Sequence, residues 1–60
     1  MTRFQADVTK ELREMKRVGM HVPAKAFELA KDAVEMTKTE EEGLGVTETA
    51  DLLVDLAGMR

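Results

Sequence analysis

The sequence predicts an all-α fold: a small three-helix domain over residues 1–60, built to self-associate. Three observations carry this expectation. The apolar residues are Ala, Leu, Val, Met and two Phe, with no Ile, Trp or Tyr, a palette that favours helix over strand. They recur every three to four positions in three stretches. Each stretch opens on a capping residue or a proline and closes at or near a polar or glycine-containing stop.

The first helix is expected over 3–18. Thr2 stands at its N-cap with Gln5 three residues on, the pattern of a capping box. Phe4, Val8, Leu12 and Met15 fall on one face. Lys16 and Arg17 suit the negative end of the helix dipole, and Gly19 can adopt the left-handed conformation that closes a helix. Met20 should then fold back on the last turn.

The second helix is expected over 23–38. Pro23 opens it as a first helical residue, because the N–H it lacks has no helical partner there. Ala26, Phe27, Leu29, Ala30, Ala33, Val34 and Met36 make its apolar half, with alanine at the centre, where a neighbouring helix can come close. Residues 39–46 read as a loop, with Glu40-Glu41-Glu42 resisting burial and Gly43 and Gly45 breaking the helix.

The third helix is expected over 47–57, capped by Thr47 with Glu48 beside its positive end. It carries two apolar faces: Ala50, Leu53, Val54 and Ala57 on one side, Leu52, Leu56 and Met59 nearly opposite. One face serves the core. The other, flanked by the acidic residues Glu48, Asp51 and Asp55, is expected to meet another chain. The expected partner-binding residues are therefore Leu52, Leu56, Met59, Asp51 and Asp55, and the partner is a second copy or another protein. The first helix presents Arg3, Lys10, Arg13 and Arg17 in one sector, bordered by Asp7, Glu11 and Glu14; it reads as a solvated face and is a candidate to lie opposite the acidic seam, in the same chain or a second copy.

Composition narrows the function classes. There is no cysteine and one histidine, His21, so disulfides, thiolate sites and His-rich metal sites are excluded. No phosphate-binding glycine loop, dinucleotide fingerprint, zinc-protease, calcium-loop or nucleophile-elbow pattern occurs, so no catalytic residue, metal ligand or cofactor site is expected. No apolar run approaches the ~20 residues of a membrane span, and no apolar leader opens the sequence, so the expected compartment is the cytoplasm. Net charge is −3, unevenly placed: residues 1–22 carry +2 and residues 23–60 carry −5. These features point to a non-enzymatic regulatory, adaptor or inhibitory protein that works by helix-mediated binding.

One segment supports a second architecture. Val18, Met20 and Val22 alternate with Arg17, Gly19 and His21 ahead of Pro23, the period of a short strand at 17–22. Strand, helix, glycine-containing loop and helix, over Arg17 to Ala57, resembles the ribbon-helix-helix family of dimeric DNA-binding regulators and antitoxins. The resemblance implies that strands of two chains pair and enter the major groove. Arg17, Gly19 and His21 would then face DNA, and Thr47 would sit near a phosphate. Helical closure at Gly19 uses more residues coherently, and the −5 on residues 23–60 opposes DNA, so the three-helix architecture stands first.

Overall fold

The computed structural model describes residues 2–58, apart from the side chains of Ala33 and Glu35. It is all-helical, and no strand occurs among the described residues. The helices are α1 (Arg3–Arg17), α2 (Ala24–Ala30), α3 (Ala33–Glu41) and α4 (Val46–Gly58). The three expected helices are thus four, because the second is broken at Lys31-Asp32.

α1 forms as its sequence dictates. Thr2 Oγ1 accepts the Gln5 N–H at 3.1 Å, and Gln5 Oε1 accepts the Thr2 N–H at 2.8 Å, completing the capping box. At the other end Gly19 has φ +98°, its N–H donates to the Lys16 carbonyl, and the Met20 N–H donates to the Met15 carbonyl. This is a Schellman closure. The same device ends α3: Gly43 has φ +78°, with Gly43 N–H on the Glu40 carbonyl and Leu44 N–H on that of Thr39.

The break between α2 and α3 has a local chemistry. Asp32 N–H turns back to the Leu29 carbonyl at 3.0 Å, and Asp32 Oδ1 accepts the Val34 N–H at 3.0 Å, capping α3. Gln5, buried on α1, donates from Nε2 to the Lys31 carbonyl at 3.4 Å. The break also re-aims the chain. On an unbroken helix, Thr39 would lie about a third of a turn from the stripe of Ala26, Leu29 and Ala30; here it is buried along with them. Val34, expected inside, is instead 76% exposed. Pro23 sits one position before its expected place, as the N-cap of α2.

α4 begins at Val46, one residue earlier than expected, and Thr47 does not cap it. The cap is Gly45, whose N–H is accepted by Glu48 Oε2 at 2.7 Å and whose carbonyl accepts the Thr49 N–H at 2.9 Å. α4 packs against both α1 and α2. Its buried residues Thr49, Ala50, Leu53 and Ala57 join Val8, Leu12 and Met15 of α1 and Ala26, Leu29 and Ala30 of α2 in one core. Val22, just before the α2 cap, is buried, and Phe27 packs half-buried on the same core, the two positions of a hydrophobic staple. The radius of gyration, 10.3 Å, matches the ~10 Å of a collapsed chain of this length, so the helices share that core rather than extend from it.

Among the described residues, buried side-chain polar atoms are paired with one exception. Thr9 Oγ1 donates to the Gln5 carbonyl at 2.9 Å and Thr39 Oγ1 to the Met36 carbonyl at 3.0 Å. Thr49 Oγ1 is buried with no hydrogen-bond partner among the described residues. A buried hydroxyl left unpaired costs about 1–3 kcal/mol. Thr49→Val should therefore raise unfolding stability by about 1 kcal/mol in a urea titration, whereas Thr9→Val should give no such gain. A second expectation follows from Gly19. Open space surrounds its Cβ position, so Gly19→Ala should cost about 1 kcal/mol through backbone strain alone. Gly58→Ala, also in open space but without positive φ, should be neutral or slightly stabilising in the same titration.

Candidate functional site

The expected site on α4 is only partly a free surface. Leu56 is half-buried and packs on the chain's own core. Leu52 is 36% exposed, Asp51 and Asp55 are exposed, and Met59 lies outside the described residues. The two apolar faces of α4 are explained in part by its position: it packs against two helices, so it has more than one side to cover.

The larger exposed apolar surface lies elsewhere. The C-terminal half of α1 and the N-terminal half of α4 flank a groove of about 440 Å³, lined by Glu11, Glu14, Met15, Val18, Met20, Thr47 and Asp51. Met15 is buried in the core and gives the groove its floor; Val18 is 69% and Met20 49% exposed. The backbone that holds them is the Schellman closure of α1, so Met20 turns back beside Met15 for the reason its sequence suggested. Val18, Met20 and Val22 do not share a face, because Val22 is buried on the far side of the turn.

The 17–22 segment is not the strand of the alternative architecture. Arg17 is the last residue of α1, Gly19 has positive φ, and the N–H groups of Val18, Gly19 and Met20 are all spent on carbonyls of α1. Arg17, His21 and Thr47 are each exposed. Arg17 pairs with Glu14 at 3.2 Å, Thr47 lines the groove, and His21 lies outside it.

Electrostatics distinguish the groove. Its α1 side presents Glu11 and Glu14, and its α4 side presents Asp51, with Asp55 one turn along. The basic face of α1 does not meet this acidic seam within the chain. Its described ion pairs, Arg3 with Asp7 at 4.0 Å and Arg17 with Glu14 at 3.2 Å, are local to α1. Among the described residues neither Glu11 nor Asp51 has an ion-pair partner. Of the groove residues, Asp51 is expected from sequence to bind a protein partner, and Thr47, in the alternative architecture, to sit near a phosphate. Val18 and Met20 carry only the period-two signal of the alternative strand and no helical one, because they follow the end of the helix.

No three His, Cys, Asp or Glu residues among those described are placed to hold a metal ion. No helix among them is long and apolar enough to cross a membrane. A second surface hollow, lined by Val34, Thr37, Lys38 and Glu41, follows the outer face of α3 and brings no second helix to bear.

If the groove surface is not needed for folding, its exposed members should be dispensable to stability. Val18→Ser and Met20→Ser should each stay within about 0.5–1 kcal/mol of the parent in chemical denaturation. Met15→Ala, which empties the floor, should cost about 2–4 kcal/mol. Comparison with known proteins adds no relative to this picture: no protein-family model matches the chain, and no curated protein or solved structure shows significant similarity to it.

Proposed function

We propose that this chain is a small binding protein without chemistry of its own, a regulatory, adaptor or inhibitory domain that docks on another protein through a helical surface. The observation that carries the reading is the groove between α1 and α4. Large aliphatic side chains are left in solvent there, side by side, on a rigid helix end. Contiguous apolar surface rimmed by polar residues is the usual mark of a docking site. Leu52, Asp51 and Asp55 on α4 remain open to a second copy or partner, with Leu52 the apolar member among the described residues.

A photo-crosslinking amino acid placed at position 18 tests this in the cells that make the protein. One dominant adduct is expected, and its mass separates a second copy of the chain from another protein. The same probe at position 13, exposed and about 140° away from position 18 around α1, should give none. Equal labelling from both positions, or none from position 18, would remove the groove as the functional surface.

A further inference from the structure

Resting on that reading, we propose that the groove's occupant is a cationic amphipathic helix of another protein, seating one or two aliphatic side chains over Met15 between Val18 and Met20, with lysine or arginine on both flanks.

The charge argument comes first. Glu11 and Glu14 on one edge and Asp51 on the other surround an apolar floor. The one cation paired at this edge, Arg17, is engaged with Glu14. Glu11 and Asp51 have no cation among the described residues, and Glu48, nearby on α4, is committed to the Gly45 N–H. Lys10 and Arg13 lie more than a quarter turn from Glu11 by helical phase, and Arg3, two turns away along the helix, is paired with Asp7. A second copy docked groove to groove would set these carboxylates against their own kind, and like charges facing across an interface are strongly unfavourable. Nucleic acid and anionic lipid headgroups are disfavoured for the same reason. A cationic flank removes the repulsion and gives each unpaired carboxylate a partner.

The form of the occupant follows from the backbone. The described chain is all helix with short connections and offers no sheet edge, so an extended peptide has no ladder to join. Two neighbouring helices present ridges and a groove into which a third helix packs. From Glu11 to Val18 the α1 edge runs about 10 Å at 1.5 Å per residue, the length of two helical turns. Two turns place apolar anchors at i and i+3 or i+4 and basic residues one position to either side.

The test uses stapled helical peptides of about three turns, equal in length and leucine anchors, with flanks of lysine, glutamine or glutamate, titrated into the whole chain by fluorescence anisotropy and two-dimensional NMR. The lysine peptide should bind saturably and shift the resonances of Glu11, Met15, Val18, Met20 and Asp51. It should bind at least about tenfold more tightly than the glutamate peptide and weaken as salt is raised. Glu11→Gln with Asp51→Asn should reduce lysine-peptide affinity about fivefold and leave glutamine-peptide affinity unchanged. Both side chains lie at the groove rim, and unchanged amide spectra elsewhere would verify the fold.

Equal affinities for the three peptides, with the same groove shifts, would overturn the cationic proposal while leaving the groove as a docking site. Equal binding by a lysine peptide whose leucines are replaced by serine would overturn it too, since the carboxylates would then act as a diffuse surface. Failure of all three peptides to shift the groove, together with no crosslink from position 18, would remove the underlying reading as well. Groove shifts that appear on raising the protein's own concentration would replace the cationic helix with a second copy.

Discussion

Everything in this bundle depends on α4 lying against α1 and α2 at the same time, and alanine makes that possible. Ala26 and Ala30 on α2 and Ala50 on α4 have no exposed surface, and Ala57 is nearly as buried. A side chain that ends at Cβ lets two helix backbones approach closely, and a core this small cannot afford a void at its centre. The larger residues Val8, Leu12, Leu53 and Leu29 then fill the space around that contact. With two phenylalanines as the only aromatic bulk, both at the margin of the core, tight helix approach stands in for large side chains.

How far the sequence discloses this structure depends on whether the deciding interaction is local. α1 is legible to within one residue of its end, expected at Val18 and found at Arg17, because both caps are written within a few positions: Thr2 with Gln5, and Gly19 after a basic turn. The break at Lys31-Asp32 is harder to see. The residues from Ala26 to Met36 hold an apolar side on an unbroken cylinder, and no glycine or proline interrupts them. The signal that exists is Asp32 followed three residues later by Glu35, a start pattern inside an otherwise continuous helix. What favours the break, burial of Thr39 and the Gln5 amide reaching the Lys31 carbonyl, is tertiary and has no periodic trace.

The groove divides in the same way. Asp51 stands out in the sequence as one of several acids spaced one turn apart on a helix with no basic neighbour. Glu11 and Glu14 read only as interruptions of a basic face, because their significance lies in which helix ends up beside them. Leu56 shows the reverse: an apolar residue on the apparent outer face of α4 is drawn into the core once that helix is wedged between two others. Helical phase describes a cylinder, and the number of neighbours that cylinder acquires is a property of the whole chain.

The Schellman closure at Gly19 has a consequence for how this surface responds to contact. It ties the Met20 backbone to the Met15 carbonyl and leaves no slack between the end of α1 and the mouth of the groove. Beside Val18, two of the side chains mounted on that fixed frame, Met15 and Met20, are methionines, unbranched and polarizable, with three rotatable bonds each. The wall is therefore stiff in its main chain and compliant at its surface. It can fit anchors of different outline by changing rotamers, at roughly 0.5–1.5 kcal/mol per side chain immobilised, without moving a helix. Such a surface is tolerant of shape, and discrimination falls to the carboxylates along its edges.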